Sequence, residues 1–82
     1  MINNAEKEEL INHARAGGKL SNDQKIRLAE ALAKGQTPSP RDGNTECCDT
    51  GMDIEHRYVT CATGDCANVF GGTVVSSSNC SN

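Results

Sequence analysis

Five cysteines, all confined to residues 47–80, constrain the fold of this chain more than any other feature. The 82 residues include one Phe, one Tyr and no Trp, so the aromatic side chains that usually dominate a core are nearly missing. A chain of this length buries only a modest share of its surface. Its stability must therefore come from helix packing, cross-links, a bound metal or a partner.

Helical signals are concentrated in residues 1–35. Asn3 or Asn4 is placed to cap a first helix, and Ser21 followed by Gln24 forms a capping box for a second. Gly17 and Gly18 end the first helix, and Gly35 ends the second. These signals predict two antiparallel helices at about 4–16 and 21–34, and we interpret the glycine pair as a turn rather than as a double-glycine export site.

The composition changes after this hairpin. Residues 36–45 contain two prolines and a glycine and no apolar side chain, which is typical of a linker and predicts a disordered join. In the tail, residues 57–61, 69–70 and 73–75 have the composition of short strands, whereas residues 76–82 carry no structural signal. The predicted fold is a small α or α+β protein, with a helical hairpin (1–35), a linker (36–45) and an irregular or weakly β, Cys-rich tail (46–82).

Charge and hydropathy exclude several functions. Residues 1–35 carry six basic and five acidic side chains, whereas residues 36–82 carry two and six. The acidic tail argues against nucleic-acid binding, and in the second helix Asp23 and Glu30 interrupt the basic residues that a DNA-reading helix would use. No segment has the roughly 20 apolar residues of a membrane helix. Because no Sec-type signal is visible, we expect the chain to be made in the cytoplasm and to stay there unless a dedicated non-Sec route exports it after processing.

The cysteines admit three interpretations. Cys47 or Cys48 could bind zinc with His56, Cys61 and Cys66, although the chain lacks a C-x₂-C pair. Disulfides are a second interpretation, but an odd count argues against a finished scaffold unless one thiol is free or intermolecular. In the third, a partner enzyme modifies thiols and neighbouring hydroxyls, closing thioether rings or azoles. In a reducing compartment, metal binding or modification is favoured over disulfides.

Cys–His catalysis, with Asp53 and Glu55 beside His56, is a further arrangement that the sequence suggests. A chain with so little core is a poor scaffold for holding catalytic groups rigidly. We therefore expect no enzymatic activity and, outside the zinc alternative, no cofactor.

The arrangement of a helical front and a tail rich in Cys, Ser, Thr and Gly resembles precursor peptides of ribosomally synthesised, post-translationally modified natural products, which are typically bacterial. The resemblance concerns the architecture, since no family-specific motif is present. It implies that residues 1–35 are a leader bound by a modifying enzyme and that residues 46–82 are a core that is modified and released. The proposed modification sites are Cys47, Cys48, Cys61, Cys66 and Cys80. The proposed enzyme-binding residues are Leu10, Ile11, Ile26, Leu28 and Leu32.

The alternative function is a small zinc-binding or disulfide-linked interaction module, or a small secreted Cys-rich effector. The metal ligands on that alternative would be Cys48, His56, Cys61 and Cys66.

Overall fold

A computed structural model describes residues 2–35, 37–39 and 43–80. Two helices, α1 (Asn4–Arg15) and α2 (Asn22–Ala33), form the predicted N-terminal hairpin. The side chain of Asn3 accepts a hydrogen bond from the Glu6 amide at 2.8 Å, which caps α1. The Ser21 hydroxyl and the Gln24 side chain exchange hydrogen bonds with each other's backbone amides, so the predicted capping box is confirmed.

The turn between the helices depends on both glycines. Gly17 has φ +95, a left-handed conformation that favours glycine. The Gly18 amide donates to the His13 carbonyl at 2.9 Å. A Cβ atom at position 18 would lie 2.3 Å from the His13 ring, so only glycine fits there without a rearrangement.

The tail forms a three-stranded antiparallel sheet in the order β2-β1-β3. Its strands are β1 (Thr45–Asp49), β2 (Tyr58–Ala62) and β3 (Thr73–Val75). A 3₁₀ turn at Ile54–His56 precedes β2, one turn of π-helix at Cys66–Phe70 precedes β3, and a last 3₁₀ turn at Ser77–Cys80 follows it. The protein is therefore a small α+β protein with a helical hairpin and a β tail.

Three parts of the tail differ from expectation. The strand β1 was not predicted, because Thr-Glu-Cys-Cys-Asp has few β-forming side chains and acts as a strand only when both cysteines are buried. Residues 69–70 belong to the π turn instead of a strand. The segment Ser77–Cys80 is a 3₁₀ turn, because Cys80 is bonded to Cys47.

One hydrophobic core is shared by the helices and the sheet. The helices contribute Leu28, which is fully buried, and Ile11. Val59 and Cys48 on the sheet and Phe70 on the π turn pack in the same cluster. Each half therefore covers the apolar face of the other.

The described part of the predicted linker packs against α1. Ser39 is 2% exposed, and its carbonyl accepts a hydrogen bond from Arg15 at 3.1 Å. The Thr37 carbonyl accepts from the buried Lys7 ammonium. Residues 37–39 are therefore not a disordered join, because α1 supplies the donors that their backbone needs. Thr45 already belongs to β1, and positions 36 and 40–42 lie outside the described residues.

Candidate functional site

The two adjacent cysteines of β1 point to opposite faces of the sheet, as successive residues of a strand must. On the face toward the helices, Cys48 is bonded to Cys66, with the Cα atoms 5.3 Å apart. On the other face, Cys47 is bonded to Cys80, with the Cα atoms 5.8 Å apart. One strand therefore anchors the π turn on one side and the last 3₁₀ turn on the other.

Disulfides consequently occupy four of the five proposed modification sites, Cys47, Cys48, Cys66 and Cys80. The structure describes the disulfide interpretation, and metal binding or enzymatic modification of these cysteines stays a prediction. The odd count is accommodated because the fifth cysteine, Cys61, is a free thiol with 1% exposure.

Cys61 lies in a polar corner of the core. Its Sγ is 4.0 Å from Oε2 of Glu46, the residue opposite it on β1, and the same oxygen accepts a hydrogen bond from the Cys66 amide at 3.3 Å. Burial raises the pKa of the Cys61 thiol to about 12, and the carboxylates of Glu46 and Asp65 act in the same direction. A protonated, buried thiol is a poor nucleophile and a poor metal ligand.

An ion pair between a half-buried arginine and a buried carboxylate borders this corner. Arg15 at the end of α1 donates from Nε to Oδ1 of Asp65 at 2.8 Å and from one terminal nitrogen to Oδ2 at 2.6 Å. The Asp65 side chain is 3% exposed. The same guanidinium donates to the Ser39 carbonyl, so Arg15 joins α1, the linker and the start of the π turn.

The alternative zinc ligands are not brought together. Cys48 and Cys66 are bonded to each other, and His56 lies elsewhere, with Nδ1 2.6 Å from Oδ1 of Asp53 and Nε2 3.9 Å from Oε2 of Glu30. Within residues 2–35, 37–39 and 43–80, no cluster of three or more His, Cys, Asp or Glu side chains is arranged to hold a metal ion. The hydrogen bond from His56 lowers the pKa of Asp53.

The proposed enzyme-binding residues are part of the protein's own interior. Leu10, Ile11, Leu28 and Leu32 are buried, and Ile26 is half-buried. In this fold Leu10, Ile11, Leu28 and Leu32 belong to the core cluster that the helices share with the sheet and the π turn, whereas Ile26 does not. The reason is that the sheet covers the stripe that a short helix would otherwise expose.

An open groove, which we call the edge groove, runs along β2. Its walls come from the end of α2 on one side and the last 3₁₀ turn on the other, and the first 3₁₀ turn also lines it. Its volume is about 250 Å³. Among the residues that line it are Leu32, Ala33, Ile54, Tyr58, Thr60 and Asn79.

Two features of the edge groove stand out. Ile54 is 93% exposed, and Glu55 next to it is also exposed. At Tyr58, the Arg57 guanidinium lies over the ring, 5.1 Å from its centroid. Arg57 also pairs with Asp49 and lowers the pKa of that carboxyl.

Sequence reasoning did not find the ion pair of Arg15 and Asp65 or the edge groove. Each joins residues that are distant along the chain, 50 positions apart for the ion pair. The only local signal is the apolar Ile54 in a polar segment, since large exposed apolar side chains often mark an interaction surface.

Comparison with protein-family models, with curated proteins and with solved structures found no match to this chain.

In the part of the chain that the structure describes, neither helix is long and apolar enough to cross a membrane.

Proposed function

We propose that this chain is a small, non-catalytic interaction module that works in its disulfide-bonded form. The observation that carries this proposal is the use of β1, whose two adjacent cysteines are bonded to covering segments on opposite faces of the sheet. Each cross-link closes a loop, of 33 and 18 residues in separation, and would contribute about 3 kcal/mol to stability. Such cross-links suit a domain that is too small for a large core.

The proposal includes an oxidising site of action, because structural disulfides persist outside the reducing cytoplasm. The module would therefore act after export. A non-catalytic role is favoured because the one free thiol is buried and protonated, and because the imidazole of His56 faces Asp53 and Glu30.

The precursor-peptide hypothesis stays a prediction. It requires the thiols of the tail to be reduced and accessible, and it requires the apolar stripes of α1 and α2 to bind an enzyme. The shared core and the two disulfides favour the module, since both sets of residues are engaged within the chain.

Intact mass and disulfide mapping of the protein from its native host test the proposal. We expect an unmodified chain that lacks four hydrogens, with Cys47 linked to Cys80, Cys48 linked to Cys66, and Cys61 free. Losses of water from Ser or Thr, or thioether-blocked cysteines, would refute the module and support the precursor. Retention of zinc in native electrospray mass spectrometry would support the zinc-binding alternative.

A further inference from the structure

The outer edge of β2 has backbone groups that pair with no other residue in the described part of the chain. The amide of Thr50 donates to the carbonyl of Arg57, and the amide of Thr63 donates to the carbonyl of Asn44. With the observed register, antiparallel pairing then directs the N–H and C=O groups of Val59 and Cys61 toward β1. The corresponding groups of Tyr58 and Thr60 point away from the sheet.

No hydrogen bond joins the backbone of Tyr58 or Thr60 to another described residue on that outer side. Both residues are only half-buried, and both line the edge groove. Open strand edges of this kind are templates for a further strand. The groups that would satisfy this edge are the backbone amides and carbonyls of an extended chain.

The groove suits an extended polypeptide better than a compact ligand. Its volume of about 250 Å³ is below the roughly 300–1,000 Å³ of typical small-molecule pockets. Its floor is a strand edge, and its two walls belong to α2 and the last 3₁₀ turn, so a single added strand would lie between them. The exposed Ile54, which also lines the groove, offers an apolar contact to one side chain of that strand.

The charges at the end of the groove that the first 3₁₀ turn lines indicate the sign of the charge that a partner should carry. Glu55 lines the groove and forms no ion pair with any described residue. The neighbouring carboxylates of Glu30 and Asp53 are engaged by Lys34 and His56. The whole chain has a net charge of −3. A basic side chain at this end would therefore meet an unpaired carboxylate.

We propose, on the premise that the chain is an interaction module, that an extended polypeptide segment bearing a Lys or Arg side chain binds along β2 as a fourth strand. Its backbone pairs with the outward groups of Tyr58 and Thr60, and its basic side chain pairs with Glu55. A second copy of this chain is a poorer occupant, because it carries the same net negative charge and brings its own α2 and 3₁₀ walls to the same edge.

The binding experiment uses a library of random linear peptides displayed on mRNA, selected against the oxidised, disulfide-mapped protein. We expect selected peptides rich in β-branched residues and carrying Lys or Arg. Hydrogen exchange then reports the mode of binding. In the free protein the amides of Val59 and Cys61 should be protected and those of Tyr58 and Thr60 should exchange rapidly, and peptide binding should protect the second pair as well.

Three changes test the contacts. Thr60→Pro removes one outward donor and leaves the bonds to β1, so it should weaken peptide binding by at least about tenfold. Glu55→Lys should weaken binding of Lys-containing peptides by about fivefold, whereas the matched change Glu8→Lys on α1 should leave it within about twofold. N-methylation of the peptide amides that face β2 should abolish binding. If Thr60→Pro fails to fold, Glu55→Lys and the N-methylated peptides still decide the question.

The inference is overturned if no peptide is selected or if the exchange of the Tyr58 and Thr60 amides is unchanged in the complex. It is also overturned if sedimentation shows a dimer in which those two amides are already protected. These results would leave the disulfide-bonded module standing. Water losses or blocked thiols in the native protein would instead refute the proposed function, whichever peptides bind.

Discussion

The helical half (residues 2–35) and the sheet half (residues 43–80) are held together by different kinds of interaction. Each helix has its own cap, and each ends near a glycine with positive φ. The sheet half has three short strands of three to five residues. Two disulfides join β1 to the π turn and to the last 3₁₀ turn, and the ion pair of Arg15 and Asp65 joins α1 to the start of the π turn. Local sequence thus specifies the first half, whereas long-range bonds specify the second.

Neither half is expected to be stable without the other. The helices are 12 residues each, a length at which an isolated helix is marginal in water. They acquire a buried face only by packing on the sheet, and the sheet acquires its order from cross-links between distant residues. Interactions that hold the sheet half should therefore have larger effects on stability than those local to the helices.

Reduction of both disulfides should have the largest effect. Each contributes about 3 kcal/mol, so their combined loss is comparable to the whole stability of a small domain. We expect dispersed amide signals of β1, β2 and β3 to collapse while weak helical circular dichroism remains. A reduced chain that keeps its dispersed spectrum would show that packing alone maintains the sheet.

The two disulfides are also expected to differ. Replacing both Cys48 and Cys66 by Ala should destabilise more than replacing both Cys47 and Cys80, because Cys48 and Cys66 are fully buried and their loss also leaves a cavity. Urea unfolding of the two double variants measures the difference. Loop closure alone would favour the longer Cys47–Cys80 loop, so a lower urea midpoint for the variant that lacks Cys47 and Cys80 would mean that burial of the other pair adds little.

Removal of the buried charge at Asp65 comes next. Asp65→Asn should lower the free energy of unfolding by about 3 kcal/mol, since it removes the buried carboxylate charge that pairs with the Arg15 guanidinium. The matched control is Asp49→Asn, which removes the half-buried partner of the exposed Arg57 side chain and should have a much smaller effect. Urea titrations of both variants measure the free energy of unfolding. Similar losses would show that burial of the ion pair does not determine how much it stabilises the protein.

The Cys61 thiol should be nearly inert in the folded protein. Because its pKa is raised to about 12 from 9.0, iodoacetamide should label it slowly at pH 8 in the native state and rapidly in urea. Between pH 9.0 and about 12 the unfolded chain loses this proton before the native chain does, so stability should fall as pH rises. Mass spectrometry follows the labelling, and fast native labelling would indicate an exposed thiol.

Loss of a helix cap should have the smallest effect. Ser21→Ala removes the acceptor for the Gln24 amide and should destabilise by about 1 kcal/mol. Thr73→Ala on the exposed edge strand is the control and should change stability by less than about 0.5 kcal/mol. Thermal unfolding distinguishes the two. If Ser21→Ala destabilised the protein more than Asp65→Asn does, interactions local to the helices would matter more for stability than those that hold the sheet half.

Most of the helical half could be predicted, because capping, periodicity and glycine stops are encoded within a few residues of each helix end. The sequence also located two strands closely, Tyr58–Ala62 and Thr73–Val75, because β-branched side chains within each segment favour a strand. The strand β1 was missed because Cys47 and Cys48 have strand character only when their partners bury them. The edge groove was missed because its lining comes from α2, two 3₁₀ turns and β2.

The sequence by itself determined where the helices begin and end, how large a core is available, and that five thiols lie in one half of the chain. The tertiary structure decided which thiols are joined, which one remains free, and that the apolar stripes of α1 and α2 face inward. The physical reason is the separation of the interacting groups. A cap is satisfied within three residues, whereas Cys47, Cys48 and Arg15 find their partners 33, 18 and 50 positions away, and only the folded chain brings them within bonding distance.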